Sequence, residues 1–187
     1  MSTSETSICN LALLSLGQDP ITDLAGEEKA ARYCRRYYPV ARDACLQAGN
    51  FGFSRKRKSL AQSVNIPVFG WAFAYELPND FLKVLVFNDT QTLYEREGNF
   101  ILTDEVFAHL RYIARVEDTN TFDALFVDAL ASRVAMELAV PLARSSELYA
   151  IAEKRYRVKI AESRTVDSQT SGGPSFPDDT GWLEARG

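Results

Sequence analysis

The stretch that decides the fold is WAFAYELP, Trp71–Pro78. Trp71, Phe73, Tyr75 and Leu77 share one parity, and Ala72, Ala74 and Glu76 share the other. A strand sends successive side chains to opposite faces, so this spacing predicts a strand with an aromatic face. It also sits inside a region, 51–116, whose period differs from that of the chain on either side. The chain is therefore expected to be α+β: a helical bundle with a small antiparallel sheet inserted into it.

The rest of that region supports the reading. LKVLVF, Leu82–Phe87, is nearly all apolar and fits a strand buried on both sides. TLYEREGNFILTD turns at Glu97-Gly98-Asn99 and predicts a hairpin. HLRYIARV alternates, with Leu110, Tyr112, Ala114 and Val116 inward and His109, Arg111 and Arg115 outward. About four or five short strands are expected.

The flanks read as helices over about 4–16, 27–48, 122–140 and 146–166. In the first, Ser4 or Thr6 can cap, Ile8, Leu11, Ala12 and Ser15 share a face, and Gly17 with Pro20 stops it. In the second, Pro39 is expected to kink or break the helix, and Gly49 suits the position after its end. The third, FDALFVDALASRVAMELAV, carries so few charges that it must be buried on most of its circumference. Arg133 and Glu137 are spaced to pair on its remaining stripe. Pro141 ends or kinks it. The fourth starts at a Ser146 cap and is amphipathic through Leu148, Ile151, Ala152, Tyr156 and Ile160.

From about Asp167 the helical pattern gives way to DSQTSGGPSFPDD, which lacks the apolar surface needed to order itself. The expectation is one domain, 1–166, followed by an extended, flexible C-terminal arm, 167–187. Near the end of that arm stand Trp182 and Leu183, with Arg186 beyond. An aromatic on a polar tether reads as a docking segment.

The chain has 187 residues, 46% of them hydrophobic, and a formal net charge of −4. No apolar run approaches the roughly 20 residues that span a bilayer, and MSTSETSICN lacks the pattern of a signal peptide. Cys9, Cys34 and Cys45 are odd in number and widely spaced, which suits buried free thiols better than a disulfide framework or zinc site. The single histidine, His109, has no nucleophile elbow or second ligand beside it in sequence, and no phosphate-binding glycine loop occurs. The expectation is a protein without catalytic residues, metal or cofactor.

The charge is uneven. Residues 27–58 hold nine Lys or Arg against three Asp or Glu, while the remainder holds twelve against twenty-two. The sharpest feature is Arg55-Lys56-Arg57-Lys58. On a strand, Arg55 and Arg57 face one way and Lys56 and Lys58 the other, so only half the run can follow one phosphate track. Three readings stand open for it: a charged edge that deters wrong pairing, a protein interface, and a nucleic-acid contact.

Taken in order, several segments resemble bacteriophage head–tail connector proteins of the tail tubular protein A type. They are the first helix ending in Leu16-Gly17, the Pro20-Ile21 turn, the second helix, and the aromatic stretch Phe51, Phe53, Ser54 and Lys56. The family usually has Trp where this chain has Phe51. Tyr75, Leu77, Pro78 and Asp80 match its Tyr-x-Leu-Pro-x-Asp segment. YIARVED with the following Phe-rich helix entry, and the closing Trp182 to Arg186, match as well.

The resemblance implies a structural virion protein, assembled in the host bacterial cytoplasm. It implies a ring, usually of twelve copies, that joins the portal to a tail or nozzle protein and extends the DNA channel. It further implies that C-terminal segments reach the portal and that DNA passes through without specific binding. An acidic lumen would suit sliding DNA, and the four cations would then meet an acidic surface of the same or the next copy. The alternative is a nucleic-acid-binding accessory protein using residues 55–58. A weaker third, a glycan-active tail enzyme, finds no catalytic set.

Overall fold

A computed structural model of the chain describes residues 3–49, 51–89 and 91–170. Trp182, Leu183 and Arg186 lie outside the described residues. Helix α1 spans Glu5–Ser15. Its cap is Ser4, whose Oγ accepts from Ser7 N at 3.1 Å while Ser7 Oγ accepts from Ser4 N at 2.9 Å, a reciprocal box that satisfies two otherwise orphaned donors. Its buried residues are Ile8, Cys9, Ala12 and Leu13. Leu11 and Ser15, expected on the inner face, are exposed, and the buried stripe runs through Ile8, Cys9, Ala12 and Leu13 instead.

Helix α2 spans Lys29–Ala48 and runs unbroken through Pro39. The expected break does not occur because Pro39 and Arg35 both lie on the exposed side, where the carbonyl deprived of its partner can be hydrated. Gly49 ends the helix in an extended conformation, φ −83°, so left-handed freedom is not its role. A Cβ there would fall 2.1 Å from the Phe51 ring; glycine is needed for that close approach.

Helix α3 spans Ala124–Leu138 and is the centre of the helical layer, packing against α1, α2 and α4. The Asp123 side chain caps it through Phe126 N at 2.7 Å. Arg133 and Glu137 pair as expected, at 2.8 Å. One wide turn over Ala139–Ala143 absorbs Pro141, and Arg144 at φ 52° reverses the chain. Helix α4 then spans Ser146–Thr170. Its cap is Ser145, one residue before the expected Ser146, with Leu148 N donating to Ser145 Oγ at 3.1 Å. The helix also outlasts the expected end at 166, since the first glycine and proline appear only at Gly172 and Pro174.

Between α2 and α3 lie six strands: β1 Arg55–Ser59, β2 Phe73–Glu76, β3 Phe81–Phe87, β4 Glu95–Glu97, β5 Phe100–Thr103 and β6 His109–Ala114. They form two antiparallel sheets, in orders β1-β6-β3 and β2-β5-β4. A single sheet was expected. The division arises because the chain leaves the first sheet just after β1: Leu60 N still donates to Ala108 O at 2.8 Å, whereas Glu76 N donates to Ala61 O at 3.0 Å and Gln62 bridges to Tyr75. The hairpin at Gly98, φ 56°, falls where the sequence places it.

Two apolar clusters result. The larger joins the four helices through Leu13, Tyr38, Leu46, Phe51, Phe126 and Leu130, among others. The smaller lies between the sheets and includes Tyr75, Leu77, Phe87, Ile101, Leu110 and Tyr112. Strand β6 serves both: Leu110, Tyr112 and Ala114 face the small cluster, and Ile113 faces the helices. Strand β3 does the same, with Val84 and Phe87 on one side and Leu82 and Leu85 on the other. The three cysteines are buried and free.

Candidate functional site

The basic run forms β1, an edge strand. Its four cations have separate environments. Arg55 is half-buried at the start of the strand. Lys56 Nζ donates to Asp80 Oδ2 at 2.7 Å, and the buried Tyr112 hydroxyl donates to Asp80 Oδ1 at 3.0 Å. Burial pushes the Asp80 carboxyl up, but the hydrogen bonds from Lys56 and Tyr112, with the Lys56 charge, outweigh it and hold the group below the ordinary aspartate value. Lys56 is thus a clamp between β1 and the turn before β3.

Arg57 is directly opposite Arg111 of β6. Both are exposed, and among the described residues neither meets a carboxylate. Like charges in directly opposed positions repel across a strand pair, so this placement is a local cost. Two pairs further along, Ser59 Oγ lies 3.0 Å from His109 Nδ1. Arg57, Lys58, Ser59, His109 and Arg111 line an open groove of about 700 Å³. Asp89 is at its margin, with Oδ1 occupied by Gln91 N, Thr92 N and Thr92 Oγ1. Those bonds, Gln91 N foremost, hold its carboxyl below the ordinary value. The sequence reading had placed Arg111 outward without linking it to β1; only the strand register does so.

The groove offers charge and hydrogen-bond donors. Among the described residues His109 has no carboxylate partner, and no group of three or more His, Cys, Asp or Glu is placed to hold a metal ion. No helix of the described residues is long and apolar enough to cross a membrane.

The other charged motif residues join the helical layer to the β insertion. Arg115 Nε donates to Asp43 Oδ2 at 2.8 Å; Arg42, buried, contacts Asp43 at 3.0 Å and Glu117 at 3.2 Å. Arg115 N also donates to Asp80 O at 2.6 Å. Beside them, the Phe126 ring meets Phe51, Phe53 and Phe122 edge-on, at centroid distances of 4.8, 5.2 and 4.7 Å. Such contacts favour the edge-to-face geometry of ring quadrupoles.

Next to the groove, three loops converge at one end of the insertion. Ala72 N donates to Asp104 Oδ1 at 2.9 Å, Thr103 Oγ1 to Leu93 O at 3.0 Å, and Asn88 Nδ2 to Phe107 O at 2.8 Å. Asn88, at φ 47°, also accepts from His109 N and so ends the first sheet with its side chain. These loops leave large apolar side chains in water: Val68 is 96% exposed, Phe69 87% and Phe107 73%, and Val64, Leu93 and Val106 on the same loops are exposed too. The signal for this tip was present in VNIPVFG, 64–70, an apolar segment inside a turn-rich stretch.

No protein-family model matches the chain, and no curated protein matches it in sequence.

Proposed function

We propose that the chain is a structural connector protein of a bacteriophage virion, forming a ring of about twelve copies between the portal and a tail or nozzle protein. The observation that carries this reading is the loop tip: Val68 and Phe69 stand almost fully in water, on a loop joined to its neighbour through Ala72 and Asp104, and exposed apolar surface of this kind suits a covering partner. The order of elements supports it. The residues that carry the family resemblance meet one another: Phe51 and Phe53 at the Phe126 cluster, and Lys56 with Asp80 and Tyr112 within the first sheet. In this reading the protein is not an enzyme, needs no cofactor, resides in the neck of the virion and lets DNA pass. The segment carrying Trp182, Leu183 and Arg186 grips the portal. The test is electron microscopy of the protein mixed with purified portal. A ring seated on the portal is expected; no complex at micromolar concentration would overturn the reading.

A second reading has one observation of its own. Arg111 extends the basic surface of β1 across a second strand, which suits a nucleic-acid-binding accessory protein. It requires a duplex shift at low salt that weakens steeply as salt rises.

A further inference from the structure

The two sheets expose opposite charges, the first at the end of the face that packs on the helices through Ile113. In the first, Arg57 and Arg111 stand side by side on the face turned away from the cluster between the sheets, since their neighbours Leu110 and Tyr112 point into it. In the second, Glu76 of β2 and Glu97 of β4 are both opposite Phe100 of β5, and Glu95 is opposite Leu102. All three glutamates are exposed. Their common face is also turned away from the inner cluster: Arg96, between Glu95 and Glu97, places its guanidinium over the Phe81 ring at 5.0 Å, and Ile101, between Phe100 and Leu102, is fully buried.

One small, hydrogen-bonded unit therefore carries a face with two unpaired arginines and another with three glutamates. Each face is unfavourable in isolation. Arginines in directly opposed positions repel, and Glu76 and Glu97, on the strands either side of β5 and about 10 Å apart, repel more weakly. Both costs are relieved if the two faces meet. They cannot meet within one copy, because both look away from the same core. Contact between two different faces of identical copies is head-to-tail, and it closes into a ring when the rotation permits.

We propose that Arg57 and Arg111 of one copy pair with Glu76, Glu95 and Glu97 of the next, making the β insertion the charged part of the contact between subunits. This rests on the ring-connector reading and names its interface. The occupant of the groove is then an acidic surface of a second copy. Glu95 already accepts from Trp71 Nε1 at 3.0 Å, which fixes its carboxylate for a partner; the guanidinium fork suits such bidentate pairing.

The experiment is sedimentation velocity over a concentration series in about 10 mM salt, where screening is weak, using the full chain and two charge-reversed variants. The first variant is Arg57→Glu with Arg111→Glu; the second is Glu76→Lys with Glu97→Lys. The wild type should self-associate, and each variant alone should do so at least tenfold more weakly. Mixing the two should restore association, because each supplies the face that the other lacks. Arg57→Gln with Arg111→Gln, checked for an unchanged circular dichroism spectrum, repeats the first arm without charge reversal. A monomeric wild type, unaffected variants or failure of the mixture to associate each overturns the proposal, as does a groove whose reversal abolishes only duplex binding. Co-sedimentation with portal is measured separately. Portal binding by a wild type whose charged faces prove inert sinks the interface and leaves the connector reading standing; the reverse result sinks the connector reading alone.

Discussion

The Lys56 ammonium lies 2.7 Å from the Asp80 carboxylate, tying the edge strand β1 to the turn that opens β3. Asp80 serves two donors, since the buried Tyr112 hydroxyl takes its other oxygen. The two ends of the bond are therefore unequal. Lys56 is half exposed, so Lys56→Ala should cost no more than about 1 kcal/mol, as exposed pairs do. Asp80→Ala should cost about 1–3 kcal/mol, because it strands a buried hydroxyl. The measurement is urea unfolding of each variant at pH 7.

The same carboxylate gives a pH dependence with a defined sign. Its folded-state value is depressed, so its contribution is present above the unfolded value of about 3.9. It is lost as pH falls through the lower folded value, because protons then bind the unfolded chain first. Asp80→Asn should be less stable than the wild type at pH 7, and the gap should narrow below about pH 4. Burial and then the Asp80 carboxylate also push the Tyr112 hydroxyl up to about 12. In Asp80→Asn its phenolate absorbance should appear at lower pH. An unchanged gap and an unchanged phenolate titration would show that Asp80 is not coupled to either partner.

Packing at the end of α2 predicts a glycine that tolerates no side chain. A methyl at Gly49 would lie inside the Phe51 ring's contact distance. Phe51 in turn is held edge-on by Phe126, so the ring cannot simply rotate away. Gly49→Ala should cost about 1–3 kcal/mol, as overpacking does. Phe126→Ala, which empties the centre of four rings, should cost about 3–5 kcal/mol. Thermal melts decide it; a neutral Gly49→Ala would show that the helix end relaxes.

How much of this was legible follows from the range of each signal. Local chemistry was readable: the Ser4 cap, the Gly98 hairpin and the alternation of Leu110, Tyr112 and Ala114 all depend on neighbours in sequence. Pairing was not. Arg57 and Arg111 are opposed across more than fifty residues of chain, and alternation says which way a side chain points without saying what stands beside it. For the same reason one sheet was expected where there are two: the period of β2 matches that of β6, although they belong to different sheets. Gly49 reads from sequence as the left-handed residue after a helix end, because nothing local announces the Phe51 ring beside it. The exposed loop tip was present as an apolar run, but its exposure depends on loops that only the fold brings together.

The opposed arginines give a prediction that does not require a partner. If Arg57 and Arg111 repel across the strand pair, Arg111→Thr should stabilise the isolated chain by about 0.2–1 kcal/mol, the range of cross-strand side-chain effects. Thr also suits a strand. The same substitution should weaken assembly if the groove meets acidic residues. Denaturant midpoint and low-salt sedimentation on one sample read both effects. Loss of stability in Arg111→Thr would mean that the arginine packs favourably along its stem and that no local cost is stored there.

The segment after α4 carries the remaining prediction. The apolar clusters draw on residues from Ile8 to Ile160, so deleting 171–187 removes none of their members and should leave the melting temperature unchanged. Attachment to portal should be lost. Trp182 and Leu183 would each return roughly 1.5–3 kcal/mol on burial, the scale for large apolar side chains. Ordering each backbone residue of the tether costs roughly 1–2 kcal/mol, which leaves a single segment a weak binder. Repetition around a ring changes that balance: a tethered second event occurs at high effective concentration, and avidity can add on the order of 10²–10⁴ without new contacts. Trp182→Ala should accordingly weaken attachment far more than Glu184→Ala, because aromatic side chains are the common anchors of an interface. Arg186→Ala should lie between them if it pairs with an acidic group on the portal. Co-sedimentation of each variant with purified portal gives the order. Normal attachment by the truncated chain would remove the docking role from this segment and leave the exposed loop tip as the surface that meets the partner.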